Sequence, residues 1–173
     1  EVDAMSTVEE FPISAHRPTE YEALVAAGPS ALDAIPGAVY ICDHEGWLVA
    51  YNGEAAKAWG RTPGLGERKE RFCGSHRLHL LDGTPLPHDI CPMADAVSSG
   101  TDMRNAQVVI ERPDGSKCTV LVNIRALKDH RGRIQGAINC FQDITAQKAV
   151  EEELHRKSQD LQDFFENSAI GLH

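Results

Sequence analysis

The sequence predicts an α+β fold: a five-stranded antiparallel sheet with short helices on one face, followed by a long C-terminal helix. Three observations carry this. Residues 106–112, 117–127 and 133–142 are rich in β-branched and apolar residues, and the turns between them, Pro113-Asp114-Gly115-Ser116 and Asp129-His130-Arg131-Gly132, are short enough to force antiparallel neighbours. A second pair of apolar runs, 38–42 and 47–51, flanks Asp43-His44-Glu45-Gly46 and reads as a hairpin. Beyond residue 145, Val150, Leu154, Lys157, Leu161 and Phe164 recur 4, 3, 4 and 3 apart, which is a heptad seam.

Taken in order, residues 1–28 form an N-terminal arm with a short helical stretch over 19–27 that Gly28 ends. Residues 30–35 make a helical turn after Pro29, and Pro36-Gly37 stops it ahead of the first strand. After the hairpin, Asn52 caps a short helix through Trp59, its side chain accepting a free N–H of the first turn. From Gly60 to Pro92 the pattern dissolves into Gly, Pro, His and charge, so regular structure there is expected to be short. Pro92 suits the first position of a helix whose apolar face is Met93, Ala94, Ala96 and Val97 and which Gly100 ends. Along the central strand, Val120, Val122 and Ile124 alternate with Leu121, Asn123 and Arg125, which turns one face of the sheet to the core. In the last helix Glu152 with Arg156 and Glu153 with Lys157 add i,i+4 pairs of about 0.2–0.5 kcal/mol each. Lys157 on the seam leaves so short a coiled coil marginal alone, and a parallel homodimer through the flanking helices is the expected remedy.

Composition bounds the function. A chain of 173 residues with 42% hydrophobic content supports one ordinary core plus appendages. The net charge of -9, with lysines and arginines scattered, argues against a nucleic-acid surface. No apolar run approaches the roughly 20 residues that cross a bilayer. No basic-then-apolar leader opens the sequence, and residues 1–5 read as a remnant ahead of a start at Met5. Five cysteines are an odd set, with Cys42, Cys118 and Cys140 inside apolar runs, and this fits a reducing, cytoplasmic compartment.

The order of elements resembles the PAS superfamily, and particular residues carry the likeness. Ala34-Ile35-Pro36-Gly37-Ala38-Val39-Tyr40 resembles the opening of a PAS domain, Glu45-Gly46 with Tyr51-Asn52 its first hairpin and helix cap, and Arg112-Pro113-Asp114-Gly115-Ser116 its meander turn. The exit is the most specific: residues 136–145, ending Asp143-Ile144-Thr145, resemble the handover from last strand to outgoing helix. The resemblance covers roughly residues 30–150 and implies a sensory domain over 29–147 and a signalling helix over 148–167. Residues 164–173 resemble the opening of another PAS module, which implies that 168–173 begin a further domain and that an output domain lies downstream in the same chain. Bacterial proteins of this look are most often sensor histidine kinases of two-component systems, with cyclic-dinucleotide enzymes as a second class. The fragment itself is expected to hold no catalytic machinery: His155 lacks the flanking residues of a phosphoacceptor box and reads as a solvated helix residue.

Candidate chemistry is sparse. Cys73, His76, His79, His88 and Cys91 form one cluster, and Cys73, His76, His88 and Cys91 could give a Cys2His2 zinc set at tight-turn spacing. The plainer reading places Cys91 before a proline-started helix and the histidines on a surface loop. Haem-binding PAS domains hold iron through a histidine on the helix before the meander, whereas residues 92–99 contain none and His88 lies just ahead of them. Asn139-Cys140-Phe141-Gln142 only superficially matches the flavin-reactive cysteine motif of light-sensing relatives, being on the last strand. Redox sensing through Cys73 and Cys91 requires an accessible thiolate, which the sequence does not establish. A small-molecule ligand could occupy a cleft lined by Tyr40, Trp47, Trp59, Val122 and Phe141, residue types that equally make an ordinary core. Signal transfer is expected at Asp143, Ile144 and Thr145, with Thr145 capping the outgoing helix.

Overall fold

The computed structural model describes residues 17–66 and 70–170, with the side chains of 169 and 170 set aside. Residues 1–16 of the expected arm over 1–28, and 171–173 of the expected further module over 168–173, therefore lie outside the described residues.

Helix α1 (Glu20–Asp33) starts on a capping box. Thr19 Oγ1 accepts the Glu22 N–H at 3.2 Å, and Glu22 Oε2 accepts the Thr19 N–H at 2.8 Å. Gly28 interrupts it at φ 72°, ψ -179°, and Pro29 restarts it, as the two helical stretches read from the sequence require. Strands β1 (Ala38–Asp43) and β2 (Leu48–Tyr51) form the expected hairpin, and α2 (Gly53–Trp59) follows under the Asn52 cap. A short strand β3 (Arg77–His79) and a single 3-10 turn (His88–Ile90) precede α3 (Pro92–Ser99), which Gly100 ends in the left-handed region. Strands β4 (Met103–Glu111), β5 (Lys117–Lys128) and β6 (Ile134–Asp143) make the meander, and α4 (Thr145–Ile170) leaves it.

All six strands pair antiparallel in the order β2-β1-β6-β5-β4-β3. The sixth, β3, extends the expected five by pairing Leu78 with Ile110 at the edge beside β4. It has three residues and one buried apolar side chain, so no period was there to be read.

Successive residues of β1 face opposite sides and so divide the core in two. Tyr40 and Cys42 join Val108, Ile110, Val120, Val122, Ile124 and Phe141 under α2 and α3, as expected of short helices on one face. Val39 and Ile41 turn the other way, and α1 covers them with Tyr21, Leu24 and Leu32. The first helix thus lies on the opposite side of the sheet from the other two short helices. Helix α4, 26 residues and about 39 Å long, departs from the body with the side chains of 149–168 exposed.

Aspartates hold the hairpin turns, Asp43 accepting the Glu45 and Trp47 N–H groups between β1 and β2, both at 2.9 Å. Asp82 accepts the Thr84 N–H at 2.9 Å, Asp114 the Ser116 N–H at 2.8 Å, and Asp129 the Arg131 and Arg133 N–H groups at 2.8 and 2.9 Å. The bonds to these last three hold each carboxyl below its ordinary pKa: the Thr84 N–H for Asp82, the Ser116 hydroxyl and N–H for Asp114, and the Arg133 N–H for Asp129. A depressed folded-state pKa gives stability that is complete above the unfolded-state value and is lost as pH falls through the folded one. Thermal melts across pH are therefore expected to show a midpoint that is flat down to about pH 5 and falls below about pH 4. A midpoint that rises on acidification would contradict this.

Candidate functional site

The site is built where α2 ends. Gly60 closes the helix in the left-handed region at φ 65°, so Trp59, its last residue, swings fully into the core. Its ring packs edge-on to Tyr40 at 5.3 Å and to Tyr51 at 5.4 Å, and stacks on Phe141 at 6.1 Å. Residue 74 must be glycine for this, because a Cβ there would strike the indole ring. The backbone of Cys73-Gly74-Ser75 therefore runs directly against Trp59.

Between these rings, α3 and the inner face of the meander lies a cavity of about 20 Å³. Its wall includes Tyr40, Trp59, Cys73, Cys91, Val122, Asn139 and Phe141. Four of the five pocket residues expected from sequence are thus brought together. Trp47 is not among them: a register shift between Ile41 and Cys42 leaves it ahead of β2, where it bridges Arg71 and lies 5.5 Å under the Arg71 guanidinium. The cavity wall is mostly apolar. Trp59 Nε1 and Asn139 Oδ1 are buried and have no hydrogen-bond partner among the described residues. Tyr40 is satisfied, donating to the Phe72 carbonyl at 3.1 Å.

The four candidate zinc ligands, Cys73, His76, His88 and Cys91, are not brought together as one set among the described residues. Cys73 and Cys91 face the cavity, His76 is exposed, and the free His88 Nε2 is taken up by Ser75 Oγ at 3.1 Å. Among the described residues no three His, Cys, Asp or Glu side chains converge as metal ligands. Burial pushes the Cys73 and Cys91 thiols up, Cys91 to about 12, and draws His88 down. Haem and flavin do not fit the space either. A cavity of about 20 Å³ holds little more than one water, against the roughly 300–1,000 Å³ of ordinary ligand pockets.

Sequence reasoning missed Ser75. Its hydroxyl receives the Cys73 thiol at 3.1 Å and meets His88 on the other side, while its N–H reaches Cys73 Sγ at 3.4 Å. A lone buried serine in an irregular loop gives no period or motif by which to find it.

The expected signal-transfer residues stand at the far end of β6. Phe141, in the cavity wall, pairs with Val122 on one side and Ala38 on the other. Two residues later Asp143 Oδ1 accepts both the Thr145 N–H at 2.9 Å and the Thr145 hydroxyl at 2.6 Å. Thr145 does not cap the helix as expected. Its hydroxyl instead accepts the Thr119 N–H of β5 at 2.9 Å, and the buried Ile144 donates its own N–H to the Thr119 carbonyl at 2.9 Å. Arg112 adds a link that its turn motif concealed, donating to the Ala58 carbonyl beside Trp59 at 2.9 Å while its guanidinium lies 3.8 Å from Asp143. The last turn of α2, the cavity wall and the root of α4 are thus joined through two side chains.

An antiparallel sheet with short helices on its faces and a long outgoing helix defines a class of compact α+β module. The family described as PAS fold matches residues 32–149, and the chain belongs to it. No curated protein matches the sequence. Among solved structures it is similar to the PAS domain of the fruit-fly ELK potassium channel, at 13% identity and a TM-score of 0.55 over 74% of this chain and 99% of that one. It is also similar to an RNA-binding light-oxygen-voltage receptor, at 18% identity and a TM-score of 0.55, covering 91% of this chain and 43% of the other. A light-oxygen-voltage domain studied with a flavin analogue aligns at 18% identity and a TM-score of 0.50, over 75% of this chain and 93% of that one. At these identities the likeness is one of fold.

Proposed function

We propose that this chain is the sensory and dimerisation module of a cytoplasmic signal-transduction protein, a sensor histidine kinase being the output that its sequence context favours. A change of packing at the cavity passes along β6, through Asp143, Ile144 and Thr145, into α4 and on to a downstream module of the same chain. The observation that carries this reading is the continuous set of contacts from Trp59 and Phe141 to Asp143 and Thr145, at the root of a helix whose apolar seam faces outward. The module itself does no chemistry on a substrate. Five free thiols support a reducing compartment. Among the described residues no helix is long and apolar enough to cross a membrane.

In full-length protein, Asp143→Ala removes two hydrogen bonds at the root of α4 while leaving the core untouched. It is expected to cost about 0.5–2 kcal/mol locally and to abolish regulation of the output activity, with the melting transition retained. Regulation that persists unaltered in the folded variant would overturn the reading.

A further inference from the structure

Helix α1 consists of two pieces held to the body in different ways. The second, residues 29–33, is tied in by buried groups: Leu32 is 1% exposed and its carbonyl accepts Asn52 Nδ2 at 3.1 Å, while Asp33 Oδ1 accepts the Gly53 N–H at 2.9 Å. The first, residues 20–27, contains no fully buried residue. It lies on the outer face of the sheet through Tyr21 and Leu24, both half-buried, and through an ion pair between the exposed Glu20 and Arg125 side chains. Just ahead of it, the Arg17 carbonyl lies 3.2 Å from His130 Nε2. Exposed side-chain contacts of this kind are individually weak and open without disturbing a core.

Gly28 separates the two pieces. Its φ of 72° and ψ of -179° belong to a region that only glycine occupies readily, and a Cβ there would meet nothing within 4 Å, so the residue serves the backbone and not the packing. Pro29 brings no N–H with which to bond back across the break. Rotation at residue 28 therefore releases the docking contacts of the first piece and leaves the ties of Leu32 and Asp33 in place.

The first piece rests on the strand that feeds α4. A Cβ at Gly136 would strike the Cys42 carbonyl and the edge of the Tyr21 ring, so Tyr21 sits in a notch on β6. Ile138 packs into the same outer cluster and pairs in register with Arg125, the partner of Glu20. Ile138 from the outer face and Phe141 from the inner one thus load β6 on opposite sides, both shortly ahead of Asp143.

We propose that residues 20–27 are a hinged cover that swings off the outer face of β6 about Gly28 while the rest of the domain stays folded, giving the outgoing helix a second control besides the cavity. The inference rests on the reading of β6 as the route into α4. The chain enters the domain through this cover, so an event on its N-terminal side reaches β6 without passing the cavity. With the cover docked, Tyr21 fills the notch at Gly136 and steadies β6. With the cover swung out that support is gone, and the root of α4 loosens.

Native-state hydrogen exchange of the whole chain, followed against urea below the unfolding transition, tests this. The amides of residues 23–27 are expected to exchange through an opening nearly independent of urea, since it exposes little surface, whereas those of β1 and β6 follow the slope of global unfolding. Tyr21→Ala is expected to speed exchange over 23–27 by about tenfold and that of the Lys148 N–H, at the root of α4, by about threefold. The Ile35 N–H, bonded to the Leu32 carbonyl at 3.1 Å, should stay unchanged. Arg125→Glu turns an exposed ion pair into a repulsion, is expected to act in the same direction, and keeps the test decisive if Tyr21→Ala fails to fold. Exchange over 23–27 with the global slope, or Ile35 accelerating together with 23–27, would overturn the hinge, and an unchanged Lys148 would overturn the control of α4. Lys148 responding to Tyr21→Ala but not to Trp59→Phe would uphold this inference and refute the cavity as the input, and the reverse pattern would refute this inference alone.

Discussion

Asn52→Ala is expected to destabilise the domain by about 3–5 kcal/mol, a large share of the roughly 5–15 kcal/mol available to such a fold. The reason is that Asn52 uses its entire hydrogen-bonding capacity inside the protein. Oδ1 accepts the N–H groups of Val39 and Ala55, both at 3.0 Å, and Nδ2 donates to the carbonyls of Leu32 at 3.1 Å and Gly37 at 2.7 Å. One side chain, 2% exposed, thus caps α2, pins β1 and anchors the end of α1. Alanine strands two donors and two acceptors where water has little access. Asn52→Asp keeps the acceptors but sets a carboxylate against two carbonyls, and is expected to cost a similar amount. Urea unfolding checks this: the midpoint should fall with the slope unchanged. A loss below about 1 kcal/mol would contradict the role.

The second large effect concerns assembly. Val150, Leu154, Leu161 and Phe164 are 65%, 68%, 58% and 65% exposed, one apolar row on a helix that touches little else. Burying one leucine is worth about 1.5–3 kcal/mol, and in a two-fold dimer each substitution acts twice. Leu154→Glu with Leu161→Glu is therefore expected to weaken a dimer by roughly a hundredfold or more. Light scattering should report about twice 18.9 kDa for the parent chain and 18.9 kDa for the variant. The compact body does not use these side chains, so its melting transition should stay. A parent chain that is monomeric at about 100 μM, well above the micromolar affinities of weak assemblies, would refute the seam's role.

How much of this could be read beforehand depended on whether a residue acts through pattern or through contact. The meander was legible because Asp114-Gly115 and Asp129 with Gly132 are turn chemistry between β-branched runs, and the Asn52, Pro92 and Gly100 boundaries because capping is local. The aromatic wall was legible in Tyr40, Trp59, Val122 and Phe141, since alternation assigns them to the inner face. Trp47 was misplaced because a one-residue irregularity in pairing is invisible in sequence, yet it decides which way a side chain points. Thr145 was assigned to the helix cap on local grounds, and the competing partner, Thr119 N–H, lies 26 residues away. Ser75 and Arg112 owe their roles wholly to long-range contacts, at separations of 13 residues to His88 and 54 to Ala58. Proximity created by folding is the part that no local rule supplies.

The central claim is that the cavity wall and the root of α4 are energetically coupled. The Lys148 N–H, which closes the first turn of α4 on the Ile144 carbonyl at 2.9 Å, reports that junction directly. Its hydrogen-exchange protection, measured in the parent chain, Trp59→Phe, Asp143→Ala and the double variant, closes a double-mutant cycle. Coupling predicts that the two substitutions fail to add, by about 0.5 kcal/mol or more. Effects that simply sum would show that the cavity and the helix do not communicate through this junction.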